Sequence, residues 1–232
     1  MKEPLISIIT VTYNAAAFVE TTIKSVIDQP FDNFEYLVID GNSTDGTQQV
    51  IEKYADKIDL FLSEPDKGIP DALNKGVRLA KGKYIVFILA GDKLFTLPHE
   101  QLAASNADVV CFPVKVTGDV THYPEVNDWL KIMNTIPHQG AFFKRTENLV
   151  HDLKYRFFCD FALCQVYYKS KLEFKVYDAP VVAFHGLDGA TSNKKNFHEV
   201  FSIVKENYGF VYRVLSFMYW KYFGLTIRLK LR

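Results

Sequence analysis

A chain of 232 residues, 48% of them apolar, is long enough for one large domain, or one domain with an appendage, around a sizeable core. Its 27 lysines and arginines balance 27 aspartates and glutamates, so the basic surplus expected of a nucleic-acid binder is missing. The balance is uneven along the chain: no acidic residue follows Glu206, whereas Arg213, Lys221, Arg228, Lys230 and Arg232 do.

Cys111, Cys159 and Cys164 form no CxxC pair, and the last two, five apart, would point about 140° from each other on a helix. Reduced thiols in a cytosolic protein are the expectation. The apolar run at Leu5 follows only Lys2 and Glu3, has strand length and ends in polar Thr12-Tyr13-Asn14. It reads as neither a signal peptide nor a membrane span.

Leu5 to Val11 is a continuous β-branched run, the mark of a strand buried on both faces. A helix follows from about Ala15 to Gln29, with Phe18, Ile23, Val26 and Ile27 as its apolar stripe. A second strand, Phe34 to Ile39, ends in the turn-rich Asp40-Gly41-Asn42-Ser43-Thr44-Asp45-Gly46, and a helix runs on to about Tyr54. Ile58 to Leu62 reads as a strand, Ile69 to Ala80 as a helix and Tyr84 to Leu89 as a strand that runs into Asp92. Four β/α steps with short links argue for a mostly parallel α/β sheet covered on both sides. In such a sheet ligands bind at the carboxyl ends of the strands, where Asp40, Asp66 and Asp92 all fall.

From Leu97 the rhythm breaks. A short helix near Pro98 to Ala104 precedes a strand Asp108 to Val116, a hairpin turn at Thr117-Gly118-Asp119 and a strand Val120 to Tyr123. A helical turn at Asp128 to Met133, a strand Gly140 to Lys144, a helix Phe161 to Tyr168, an extended run Phe174 to Phe184 and an amphipathic helix Phe197 to Tyr208 follow. Neither a G-x-x-x-x-G-K-S/T loop nor G-x-G-x-x-G is present, so a P-loop and a dinucleotide fold are both unsupported. By local chemistry alone Asp40 reads equally as a turn or helix-cap aspartate, and Asp92 as a strand-end cap.

Four segments, ISIITVTYNAAAFVETTIKSV, EYLVIDGNSTDGT, SEPDKGIPDALNKG and KGKYIVFILAGD, occur in this order, followed by the shorter IPHQGAFFKR, CDFAL and FHGLDGATS. Together they resemble the inverting family 2 glycosyltransferases of bacterial cell-surface polysaccharide assembly, strongly over about residues 5 to 95. The resemblance implies a GT-A-like (Rossmann-like) fold, a mostly parallel central sheet flanked by helices, with a helical C-terminal extension. It divides the chain into a glycosyltransferase domain over 1–208, with a donor half to about residue 95, and a tail over 209–232. It implies transfer of a sugar, with inversion, from a nucleoside-diphosphate-sugar, a UDP-sugar in the first place, to a hydroxyl of a glycan or lipid-linked glycan.

The site residues it implies are Thr10, Thr12, Tyr13, Asn14 and Asp40 for the nucleoside, with Asp66, Lys67, Gly68, Asp71 and Asn74 continuing the donor pocket. Gly91 and Lys93 flank Asp92, the last residue of a D-x-D-like element that binds Mg²⁺ or Mn²⁺ across the donor diphosphate. Ala90 stands where the first carboxylate would be, and Pro70 where relatives carry an aromatic residue in GIYDAMNKG-like form. Proline suits the first turn of a helix, so the backbone is expected to persist there while a side-chain contact is lost. Asp160 is the match for the base that takes the acceptor proton, with Asp152 and Asp188 as substitutes and a helix N-cap as its structural counterpart. His138 and Gln139 fall on the acceptor side, and His185 is a further metal or diphosphate ligand.

Phe210 onwards mixes aromatics with cations and contains no acid, so it is a poor spanning helix. It reads either as an interfacial helix, peripheral on the inner face of a membrane, or as a helix packed on protein. Two other functions fit parts of the chain. Ala90 and Pro70 suit a non-catalytic nucleotide-sugar binding module; a nucleotidyltransferase would want a glycine-rich basic loop that TYNAAAF lacks.

Overall fold

The computed structural model describes residues 3–117, 120–186 and 194–230, the last eight of these as backbone only. Its first half alternates β1 (Ile6–Thr12), α1 (Val19–Ile27), β2 (Phe34–Asp40), α2 (Thr47–Glu52), β3 (Leu60–Ser63), α3 (Ile69–Leu79) and β4 (Tyr84–Phe87). Then come β5 (Lys93–Leu94), α4 (His99–Ala103), β6 (Val109–Cys111), β7 (Val114–Val116), β8 (Val120–His122), β9 (Ala141–Lys144) and α5 (Cys159–Lys169). The remainder is β10 (Phe174–Val176), β11 (Ala183–His185), α6 (His198–Tyr208) and α7 (Phe210–Lys230).

Seven strands form one sheet in the order β10-β6-β9-β4-β1-β2-β3. The four from β4 to β3 are parallel, and β9 enters antiparallel to both β4 and β6. Every residue of β1 is buried, and the period of two along the strand sorts its apolar side chains to opposite sides. Ile6 and Ile8 pack with Ile23 and Val26 of α1; Ile9 and Val11 pack with Ala72 and Leu73 of α3 and with α5. A covered sheet of this kind leaves the strand ends as the place where polar loops meet.

Three expected elements come out differently. The stretch Asp108 to Val116 is two strands, because Pro113 has no N–H for a ladder and the chain leaves the large sheet there. β6 stays in the large sheet while β7 joins a second sheet, ordered β5-β11-β7-β8. Phe174 to Phe184 divides the same way into β10 and β11, with the Val182 N–H donating to the Pro113 carbonyl as the two crossovers run side by side. The helix expected from Ala15 begins at Val19; Ala15 to Phe18 is a turn, and Phe18 lies exposed while Val19 and Thr22 complete the buried stripe. β7 and β8 pair antiparallel, but Gly118 and Asp119 of the expected hairpin turn lie outside the described residues. All three cysteines are buried and unpaired, and burial pushes the Cys111 thiol up to about 12.

α7 lies along α6. On one side Ser216 donates to the Ile132 carbonyl at 2.6 Å, Trp220 meets the Phe197 ring at 4.5 Å and Tyr219 meets Trp129 at 5.7 Å. On the other side Val211, Leu215, Met218 and Tyr222 are exposed. No helix among the described residues is long and apolar enough to cross a membrane.

Candidate active site

Two cavities open at the carboxyl end of the parallel strands. The first, about 860 Å³, is bounded by Thr12 and Tyr13 after β1, Gly41, Asn42 and Thr44 after β2, and Asp66, Lys67 and Gly68 before α3. Arg156 and Phe157 close its far side. The second, about 490 Å³, contains Gly91, Asp92, His138, Gln139, Asp160 and His185. Ile69, Leu89, Ala90 and Phe157 belong to both, so the cavities share one wall.

The loops of the first cavity are tied together from beneath. Asp40 is fully buried; its carboxylate accepts from the Ser43 N–H at 2.9 Å, the Ser43 hydroxyl at 2.5 Å and the Ser63 hydroxyl at 2.7 Å. Ser43 in turn accepts from the Asn14 N–H, and Asn14 Oδ1 accepts from the Thr44 N–H. Thr10 is inside the sheet, donating to the Ile88 carbonyl and accepting from Tyr36, while Asn74 exchanges two hydrogen bonds with the His151 backbone. Thr10, Asn14, Asp40 and Asn74 therefore build the cavity without bordering it. Thr12, Tyr13, Asp66, Lys67 and Gly68 border it.

Tyr13 is 65% exposed, a free ring at the rim. Asp66 Oδ1 accepts from the Gly68 N–H at 2.7 Å, and a Cβ at position 41 would come within 2.5 Å of Asp66 Oδ2, so a larger residue there would push that carboxylate aside. Gly68 has φ +106°, a value L side chains rarely adopt, which lets the loop turn into α3. Asp71 accepts from the Lys67 N–H within the first turn of that helix. Thr12 Oγ1 is buried and has no partner among the described residues, an uncommon state for a hydroxyl in a folded chain and the state expected where a ligand completes the site.

In the second cavity Asp92 is 4% exposed and both its oxygens are engaged. Gln139 Nε2 donates to Oδ2 at 2.9 Å; His185 Nδ1 at 2.8 Å and the Gly186 N–H at 3.3 Å reach Oδ1. Burial works to lower the His185 pKa, but the hydrogen bond and charge of Asp92 outweigh it and leave the imidazole raised above its ordinary value. Asp160 is the second residue of α5, inside the helix rather than its N-cap, and accepts from Asn134 Nδ2 at 3.2 Å. His138 stacks on Phe87 at 4.8 Å with Nε2 unpartnered, and burial holds its pKa down against the pull of Asp160 and Asp92. Lys93 lines neither cavity and its side chain is exposed on β5. Asp152, also outside both, accepts from the Lys154 N–H, and Asp188 lies outside the described residues.

A divalent cation would find one carboxylate, Asp92, and one imidazole, His185; Ala90 offers nothing, and among the described residues no three such groups converge. Two ligands 2.8 Å apart at the rim of a cavity fit a Mg²⁺ or Mn²⁺ ion that takes its remaining oxygens from phosphate and water, once His185 gives up its proton.

Sequence reasoning missed Arg156, Phe157 and Glu199. Glu199 is buried in α6, where its carboxylate accepts from three successive N–H groups, of Arg156 at 3.0 Å, Phe157 at 2.8 Å and Phe158 at 3.1 Å. The available signal was its register, since Glu199 falls on the apolar stripe with Val200, Ile203 and Val204.

A protein of Bacillus subtilis described as "Putative teichuronic acid biosynthesis glycosyltransferase TuaG" is 36% identical over 94 residues, 39% of this chain and 37% of that protein. A Mycobacterium bovis PGL/p-HBAD biosynthesis glycosyltransferase is 35% identical over 98 residues, 41% of this chain and 38% of its own length. The matched stretch is thus under two fifths of either relative. Staphylococcus aureus TarS 1-349 in complex with UDP-GlcNAc superposes with TM-score 0.72 at 18% identity over 87% of this chain and 66% of that one. The mannosyltransferase PcManGT of Pyrobaculum calidifontis with GDP-Man and Mn²⁺ gives 0.59 at 18% identity, over 89% and 62%. Likeness at that identity speaks for the GT-A fold. The model of the family described as "Glycosyl transferase family 2" matches residues 7–167, more than half of the 232, and the chain belongs to that family.

Proposed function

We propose that the protein transfers a hexosyl group, with inversion, from a nucleoside-diphosphate-sugar to an acceptor hydroxyl. One observation carries this reading: the cleft after β1, β2 and β3 shares a wall with the cavity that holds Asp92 and Asp160, so a donor reaching across it would bring its sugar to the acceptor side. The nucleoside lies in the first cavity, its base against Tyr13 and its polar edges toward Thr12 and Asp66. UDP is the favoured carrier, a reading supported by the TarS complex.

The acceptor enters the second cavity beside His138 and Gln139. Asp160, partly exposed and bonded through one oxygen among the described residues, takes the hydroxyl proton as the new bond forms to the anomeric carbon. The bond from that carbon to the donor phosphate breaks, and its electron pair stays on the departing diphosphate. A Mg²⁺ or Mn²⁺ ion on Asp92 and His185 would neutralise charge on that diphosphate. Gln139, bonded to Asp92 and 2.9 Å from His185 Nδ1, ties the two side chains together in the second cavity.

The names of the relatives favour a cell-surface polysaccharide or glycolipid product, and the exposed apolar face of α7 favours a lipid-linked acceptor met at the cytoplasmic face of a membrane. Titration of the protein with UDP-, GDP- and dTDP-sugars, with and without Mg²⁺ or Mn²⁺, tests the core of the proposal. Saturable binding and slow hydrolysis of at least one donor is the expected result; a protein that neither binds nor hydrolyses any of them has another function.

A further inference from the structure

Lys67 borders the first cavity with an exposed side chain, and the other cations near it, Arg156 aside, are committed or turned away. Lys75 is buried, paired with Glu64 at 3.0 Å and with the Pro65 carbonyl at 2.7 Å, and Lys93 faces neither cavity. Arg156 is different. Its side chain is exposed on the cavity wall and no carboxylate pairs with it among the described residues. Its guanidinium carbon lies 5.7 Å from the centre of the Phe157 ring. A Cβ at position 68 would sit 3.8 Å from both Cγ and Nε of Arg156, which puts the guanidinium beside the first turn of α3. The backbone under it is fixed by the three hydrogen bonds to Glu199. Thr12 Oγ1, buried and unpartnered, borders the same cavity.

We propose that Arg156 grips the outer phosphate of the donor diphosphate and takes up the charge that gathers there as the sugar leaves. This rests on the donor reading given above. Phe157, next in the chain, is part of the wall shared by both cavities, so a group carried on residue 156 stands where the diphosphate must cross from nucleoside to sugar. A planar guanidinium suits that task, since its paired N–H groups match two phosphate oxygens. It also supplies positive charge at a site where Ala90 leaves a cation with one carboxylate fewer. Arg156 forms and breaks no covalent bond; Glu199 is the residue that positions it.

The test is calorimetric titration of the full chain and its Arg156→Gln and Arg156→Lys variants with nucleoside mono- and diphosphates of the uridine and guanosine series. For the base that the wild type binds, Arg156→Gln should weaken the diphosphate about 10- to 100-fold and the monophosphate far less, with Arg156→Lys between. Equal weakening of both nucleotides, or a diphosphate affinity within about threefold of wild type, overturns the role of Arg156 while leaving the donor reading intact. A wild-type protein that binds no nucleotide of either series overturns both.

Discussion

Asp160 and the buried histidines carry opposite kinds of chemistry. Asp160→Asn keeps size and the Asn134 contact but cannot take a proton, so kcat should fall about 10²- to 10⁴-fold while donor KM stays within about twofold. Initial-rate kinetics with a turned-over donor checks both. His151 is 1% exposed, with neither ring nitrogen partnered, and burial, helped by His138, holds its pKa well below 6.5. The folded chain therefore resists protonating His151 and His138, while the unfolded chain protonates them below about 6.5. Stability should fall with pH from there downward, by up to about 1.4 kcal/mol per pH unit for each ring. His185 has the opposite sign: its raised pKa gives stability that is complete below 6.5 and is lost as pH rises through the folded value. Denaturant unfolding from pH 5 to 8 should show a maximum near the ordinary histidine pKa, and His151→Phe should flatten the acid limb.

Between elements, the decisive contact is the one from α6 to the segment ahead of α5. Glu199→Ala leaves three N–H groups without their carboxylate and should cost about 3 kcal/mol, whereas Glu199→Gln, which keeps an acceptor oxygen, should cost about half that. Urea unfolding of the three proteins measures it. That contact also shows where a sequence reading stops. The β/α alternation up to Asp92 was legible because each strand is a continuous apolar run closed by turn residues. The splitting of Asp108 to Val116 between two sheets was not, although Pro113 marks the place, because only the partner strands decide which sheet each half joins. The family resemblance put Thr10, Asp40 and Asn74 at the donor pocket, but whether a side chain faces the cavity or ties loops beneath it depends on packing across 23 to 78 residues. Arg156 was silent because nothing in its own neighbourhood shows that Gly68 comes to lie beside it.

For the molecule as a whole, α7 presents two faces of different kinds, one seated on α6 and the strip around Ile132, the other apolar, exposed and free of acids. Met218 is 60% exposed and Leu215 47%, so replacing both with serine should change stability by no more than about 0.5 kcal/mol each. The same double variant should lower binding to vesicles containing anionic lipid at least about tenfold, since each apolar side chain buried in the interface is worth about 1.5–3 kcal/mol. Vesicle sedimentation at low and high salt reads this, and undiminished binding would show that another surface holds the lipid. The carboxylate of Glu199 has one more consequence, for the order of biosynthesis. Strands β1 to β4 can pair as soon as the ribosome has released them, yet residues 156–158 must wait for a helix made some forty residues later. A nascent chain therefore has the strand-end loops of the first cavity in place before Arg156 and Phe157 can close its far side.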